Sequence, residues 1–153
     1  MSRARTVERT TVLAAPPARV FEALTSPDSV PLVDPSVRAW VPDALPIGVG
    51  TRFSIRGRLG RVPFRATSEV SAWDPPRHAA FRAVRPSWPL TMTADHRCAG
   101  DADGTTRYTW TIAVTGPRPA VALAARVFGR VQGRQAAALI AHLTPHASRG
   151  TNR

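Results

Sequence analysis

The sequence contains no lysine, only one cysteine and no long apolar run. A single cysteine, Cys98, cannot form a disulfide within the chain, which excludes a disulfide-stapled secreted scaffold. A helix that crosses a bilayer needs about 20 consecutive apolar residues, and no such stretch occurs, so we expect no transmembrane segment. The basic residues near the start are not followed by an apolar core, which argues against a secretory signal. We therefore expect a cytoplasmic protein.

All 21 basic side chains are arginines, and against 10 acidic residues they give a formal net charge of +11. A charge of this size attracts acidic partners, anionic lipid or nucleic acid. The composition is otherwise that of a folded protein, with 43% hydrophobic and 20% charged residues over 153 positions, which suffices for one complete core. We predict a single domain over residues 5–144 and a flexible tail over residues 145–153.

The first part of the chain predicts one strand followed by two short helices. A strand over residues 6–14 is ended by Pro16 and Pro17, because proline has no N–H for a ladder but suits the first turn of a helix. Apolar residues at helical spacing follow and define one buried face. Ser26, as a cap before another proline, predicts a second helix over residues 27–33.

The middle of the chain changes to a period of two, which predicts antiparallel strands. Apolar and polar residues alternate over residues 51–58, 61–73 and 105–115, and the Asp-Ala-Asp-Gly run over residues 101–104 is a strong hairpin signal. We expect six or seven strands in all. An apolar stripe over residues 120–143 then predicts one closing helix roughly 36 Å long, since a helix rises about 1.5 Å per residue.

Several kinds of catalytic and cofactor site are missing from the sequence. No phosphate-binding loop or dinucleotide fingerprint occurs, and Cys98 has neither a glycine elbow nor a paired base. His142 and His146 have a spacing seen in metal sites, but Pro145 lies between them where the helix should end. We therefore expect no metal and no cofactor.

Four segments resemble one known superfamily. They are residues 15–28, 48–53, 69–77 and 104–110, which read APPARVFEALTSPD, GVGTRF, EVSAWDPPR and GTTRYTW. With the order of the elements they make the chain similar to the SRPBCC, or START-like, superfamily, which includes birch-pollen-allergen-like proteins, START lipid-binding domains and bacterial polyketide cyclase/dehydrase proteins. The resemblance implies an α+β helix-grip fold: an antiparallel six- to seven-stranded curved sheet wrapped around a long C-terminal helix, with two short helices after the first strand.

In such a fold the ligand lies between the sheet and the long helix, so inward strand positions are predicted to line a cavity. A loop over residues 43–50 is a plausible gate beside its mouth. The predicted ligand-binding residues are Phe53, Ile55, Phe64, Phe81, Met92, Trp110, Phe128, Gln132 and Gln135.

Three polar side chains of the inward rows are candidates for catalysis. His96 could act as an acid or a base near neutral pH, and the hydroxyls of Tyr108 and Ser68 could help to steer proton transfers. Each also has a structural interpretation: a satisfied histidine at a strand end, a core aromatic with a bonded hydroxyl, and a packing serine.

Three functions compete. The first is a carrier or sensor of a small hydrophobic molecule that is polyketide-, lipid- or quinone-like. The second is a cofactor-independent polyketide cyclase, aromatase or dehydratase, which ranks lower because no acid–base pair is visible on the inward rows. The third is an adaptor that binds an acidic macromolecule through an outer basic face.

That outer basic face follows from the alternation of the strands and from helical spacing. No aromatic residues interleave with it, so we expect no specific binding of nucleic acid. Its predicted members are Arg52, Arg56, Arg58, Arg61, Arg65, Arg97 and Arg107 on strands, with Arg126, Arg130 and Arg134 on the long helix.

Overall fold

A computed structural model describes residues 2–86 and 88–144 of the chain. The strands are β1 (Ser2–Leu13), β2 (Val37–Pro42), β3 (Arg52–Leu59), β4 (Val62–Asp74), β5 (His78–Arg85), β6 (Thr91–Gly100) and β7 (Thr106–Pro117). The helices are α1 (Pro17–Thr25), α2 (Val30–Val33) and α3 (Arg118–Leu143).

One antiparallel sheet contains all seven strands in the order β1-β7-β6-β5-β4-β3-β2, so the first strand pairs with the last. Helix α3 packs against β1 and β7, and the two short helices follow β1. The predicted helix-grip fold is therefore confirmed, with the higher of the two expected strand counts. No helix in the described ranges is long and apolar enough to cross a membrane.

Ser26 lies directly after α1 and is not the N-cap residue of the second helix that the sequence had predicted. Its backbone N–H donates to the carbonyl oxygen of Glu22 at 2.8 Å and so closes α1. The next residues form a turn, and Ser29 is the N-cap residue of α2. The second helix is consequently shorter than the predicted 27–33. The predicted tail over residues 145–153 lies outside the described residues.

The hairpin predicted over residues 101–104 joins β6 to β7. Gly104 has a φ of 82°, a conformation that side chains disfavour. Asp103 Oδ1 accepts a hydrogen bond from the N–H of Thr105 at 3.1 Å. This tight turn sets the register of β6 against β7, and with it the positions of the inward-facing polar side chains.

The core lies between the concave face of the sheet and the three helices. Helix α1 buries its predicted apolar face, and its Phe21 meets Trp73 of β4 edge-to-face, with ring centroids 5.2 Å apart. The largest fully buried side chains are Leu13, Val20, Val33, Phe53, Val70, Thr106, Ile112, Val114, Val121 and Leu139.

Candidate functional site

A cavity of about 410 Å³ lies between the concave face of the sheet and α3. Its walls are mainly apolar, and they come from β3 to β7, from α2 and the start of β2, and from the middle of α3. Most of the predicted site residues line it: Ile55, Phe64, Ser68, Phe81, Met92, His96, Trp110, Phe128 and Gln135.

Phe53 lies behind the cavity wall instead of on it. Its ring is fully buried and stacks on Trp40, with centroids 3.8 Å apart and planes 4° from parallel. Phe81 meets both rings edge-to-face. Trp40 and Phe81 line the cavity, so Phe53 supports the aromatic wall that a ligand would touch.

Gln132 is also outside the lining, because its side chain binds backbone. Its Nε2 donates to the carbonyl oxygen of Val7 at 3.2 Å and to that of Trp110 at 3.1 Å. The amide therefore ties α3 to β1 and β7.

Three polar side chains from three elements form a hydrogen-bonded chain at the cavity wall. Nδ1 of His96 (β6) lies 2.6 Å from the hydroxyl of Tyr108 (β7). That hydroxyl donates to Oε1 of Gln135 (α3) at 3.3 Å. Tyr108 is enclosed and 2% exposed, whereas His96 and Gln135 reach the cavity. The structure thus brings together two of the three predicted catalytic residues.

The direction of these bonds determines what His96 presents to a ligand. A hydroxyl has one hydrogen, so when Tyr108 donates it to Gln135, Nδ1 of His96 must carry the proton between ring and hydroxyl. Nε2 then has a free lone pair. Within the described residues Nε2 makes no hydrogen bond, and it is open to the cavity.

Burial lowers the pKa of His96 to about 4, and the positive charge of a protonated His78 would add to this effect while Asp95 opposes it. The ring is therefore neutral at neutral pH, as a base must be. Burial also raises the pKa of Tyr108 well above its ordinary value, so the phenol keeps its proton.

Aromatic rings surround the imidazole of His96. It stacks on Trp110 at 5.4 Å and meets Phe81 edge-to-face at 5.7 Å. The indole N–H of Trp110 is buried and has no partner among the described residues. These rings contribute to the burial that lowers the pKa of the imidazole.

Asp34 is a polar residue of the cavity lining that the sequence analysis did not predict. It follows α2 and lines the same cavity as His96. Its Oδ1 accepts from the N–H and the hydroxyl of Ser36, at 3.0 and 2.6 Å. Burial raises the pKa of Asp34, although both bonds from Ser36 oppose this. Burial is the main cause of the raised pKa of Tyr108, and negative charges on Cys98 and Asp34 would add to it.

A sequence signal for part of this arrangement exists. Aspartate often accepts a hydrogen bond from the backbone two residues later, and the run Asp34-Pro35-Ser36 fits that pattern. The pattern predicts a turn. It carries no information on which side of the turn faces a cavity.

The remaining predicted site residue, Ser68, lines the cavity from β4. Near it the sheet opens, because the pairing of β5 with β6 ends at Arg82 and Thr93. Pro86, Trp88, Pro89 and Leu90 line the cavity beside this opening. The loop over residues 43–50, the predicted gate, contributes no lining residue.

The chain belongs to the family described as polyketide cyclase / dehydrase and lipid transport, whose sequence profile matches residues 4–144. Its fold is that of the aromatase/cyclase Zhui from Streptomyces sp. R1128, with a TM-score of 0.78, 20% identity and coverage of 92% of this chain and 94% of that one. No curated protein sequence matches significantly.

Two further structures show how widely this fold is shared. The di-domain ARO/CYC BexL of the BE-7585A biosynthetic pathway has a TM-score of 0.76 and 17% identity, over 91% of this chain and 46% of that one. Norcoclaurine synthase from Thalictrum flavum, in complex with dopamine and hydroxybenzaldehyde, has a TM-score of 0.71 and 11% identity, over 97% and 91%. At these identities the likeness concerns the fold alone.

Proposed function

We propose that this protein binds a flat, mainly apolar molecule of polyketide type in the cavity between the sheet and α3. The observation that carries the proposal is the cavity itself, about 410 Å³ with aromatic and aliphatic walls. Sites for small molecules commonly have volumes of about 300–1,000 Å³ and few, well-placed polar groups. Membership of the polyketide cyclase / dehydrase and lipid transport family supports the ligand class. We also propose that the protein binds this ligand in the cytoplasm.

A neutral fluorescent dye such as Nile red tests the binding proposal, because the charge of the protein does not attract it. Ala66 lines the cavity, so Ala66→Phe should fill part of the space and abolish the fluorescence enhancement. Ser54→Phe, on the exposed outer face of the neighbouring strand, is the matched control and should bind as the wild type does. Equal binding by both variants would refute the proposal.

A second candidate function is catalysis, which Asp34 specifically favours. The inward rows of the strands alone contain no acid–base pair, but Asp34 and His96 line one cavity. A desolvated carboxyl with a raised pKa can serve as an acid, and a neutral imidazole with a free Nε2 can serve as a base.

The reaction that suits this pair is an intramolecular aldol condensation. Nε2 of His96 removes a proton from a methylene between two carbonyl groups, and the resulting enolate carbon attacks a further carbonyl of the same chain. The new carbon–carbon bond leaves an alkoxide, which takes a proton from the Asp34 carboxyl. Loss of water follows when the Asp34 carboxylate takes the second C–H proton and the His96 imidazolium gives its proton to the departing hydroxyl, which restores both groups to their starting states.

A short synthetic poly-β-ketone thioester tests this second candidate. We expect cyclised product to form faster than in buffer, and His96→Gln and Asp34→Asn to lose the acceleration while still binding Nile red. His78→Gln, which alters a histidine that pairs with Asp95 on the outer face, should stay active. If the wild type is no faster than buffer, the protein is a carrier or sensor. If His96→Gln turns over normally, His96 is not the base of the reaction.

A further inference from the structure

A second concavity lies on the outer face of the sheet, where β2, β3 and β4 meet. This arginine cleft has a volume of about 490 Å³. Its lining consists of Arg38, Ala39, Arg56, Gly57, Arg58, Pro63, Phe64 and Arg65. Half of these residues are arginines, and all four arginines are exposed.

A β-bulge brings the fourth arginine into the cleft. Trp40 faces the core, so strict alternation along β2 would also turn Arg38 inward. The register instead shifts between Val37 and Ala39, which pair with Gly57 and Arg56. Val37 therefore packs on the core, while Arg38 is exposed and lines the cleft. Bulges commonly redirect a side chain in this way.

Gly57 makes this close approach of β2 to β3 possible. A Cβ at residue 57 would lie 1.8 Å from the carbonyl oxygen of Ser36, far inside van der Waals contact. The same oxygen accepts the N–H of Arg58 at 2.9 Å. The floor of the cleft is thus a rigid, hydrogen-bonded junction.

The charges of the cleft are not neutralised by the protein. Within the described residues, none of the four arginines has a carboxylate within ion-pair distance, whereas Glu69 nearby pairs with Arg52 and Arg82. Arg56 and Arg65 also lie directly opposite each other on adjacent strands, where like charges repel. Four positive charges in one concavity create a strongly positive potential.

We propose that the arginine cleft binds a phosphate-bearing small molecule. The planar guanidinium group donates paired hydrogen bonds that match the geometry of phosphate oxygens, and several such groups converge here. A protein partner would need about 20–30 residues on each side, many more than the eight that line this cleft. The size of the cleft therefore fits a compact anion better than an acidic protein surface.

This site does not depend on what the interior cavity binds. The two concavities share Phe64 and Arg65 as lining residues, whereas Arg38, Arg56 and Arg58 line only the cleft. Failure of the cavity proposal would leave the cleft proposal intact, and the reverse also holds.

Isothermal titration with inorganic tripolyphosphate and with phenyl phosphate, at physiological salt, tests the proposal. The double variant Arg56→Gln/Arg65→Gln should reduce affinity at least about tenfold, since the loss of even one charge-assisted hydrogen bond lowers affinity by roughly that factor. The control Arg126→Gln/Arg130→Gln removes the same charge from the exposed face of α3 and should change affinity by less than about twofold. Tighter binding of tripolyphosphate would indicate a free polyphosphate, and tighter binding of phenyl phosphate would indicate an organic phosphate ester.

Three results would overturn the proposal. The first is that the wild type binds neither compound. The second is that the two double variants lose affinity equally, and the third is that hexaglutamate binds the cleft more tightly than tripolyphosphate does. The second result would mean that net charge alone attracts anions. The third would mean that the partner is an acidic protein.

Discussion

The hydroxyl of Tyr108 lies 2.6 Å from Nδ1 of His96, and this contact determines which imidazole nitrogen meets a ligand. Because Tyr108 also bonds Gln135 on α3, the tautomer of a strand residue depends on the position of the long helix. The His96–Tyr108 contact joins two strands, and the Tyr108–Gln135 bond links the sheet to the helix.

Replacing Tyr108 with Phe tests this control of the tautomer. We expect the ¹⁵N spectrum of His96 to show one tautomer, protonated at Nδ1, in the wild type and a mixture of tautomers in Tyr108→Phe. Loss of the hydroxyl leaves buried polar groups unpaired, so the free energy of unfolding should fall by about 1–3 kcal/mol. An unchanged His96 spectrum in the variant would contradict the assignment.

The low pKa of His96 predicts a loss of stability in acid. The folded state keeps the ring neutral down to a pKa of about 4, against an ordinary value of 6.5. As the pH falls below the ordinary value, the unfolded chain binds a proton that the folded one does not, so stability declines. The loss should approach about 3 kcal/mol near the folded pKa.

Urea denaturation from neutral to acidic pH measures this loss. The difference in unfolding free energy between the wild type and His96→Gln isolates the contribution of this ring from those of the carboxylates. We expect that difference to shrink as the pH falls. A difference that is constant with pH would show that the pKa of His96 is the same in the folded and the unfolded state.

Gly57→Ala should be strongly destabilising, because the new Cβ would overlap the carbonyl oxygen of Ser36. Backbone cannot move aside as a flexible side chain can, so we expect a cost of about 3 kcal/mol. Gly48 provides the control, since a Cβ there meets nothing within 4 Å. Gly48→Ala should stay within about 0.5 kcal/mol of the wild type. If both variants had similar thermal midpoints, residue 57 would lie further from the carbonyl oxygen of Ser36 than the structure shows.

Arg65→Gln should stabilise the protein, because it removes one of two arginines that oppose each other across β3 and β4. Relief of such a pair contributes about 0.2–1 kcal/mol, and the gain should decrease with added salt. Arg107→Gln is matched in charge, but its cross-strand neighbours are Val12 and Ala99. If both substitutions raised the free energy of unfolding equally, the effect would come from the lower net charge and not from the Arg56–Arg65 pair.

Local patterns accounted for most of the fold. Alternation and turn residues predicted the strands, the hairpin before β7 and the face of α1 that is buried, since each depends on neighbours a few residues apart. The predicted boundary between the two short helices was wrong because a serine such as Ser26 can cap the end of the first helix or the start of the second. Which helix it caps depends on tertiary packing, which a local sequence pattern does not contain.

The sequence by itself determined the period-two strands, the closing helix and the inward row on which His96, Tyr108 and Ser68 lie. Tertiary structure alone decided that Asp34 shares a cavity with His96, that Gln132 binds backbone, and that a bulge turns Arg38 outward. The physical reason is distance along the chain. Patterns of two or 3.6 residues arise from local geometry, whereas these three arrangements depend on contacts between segments that are remote in the sequence.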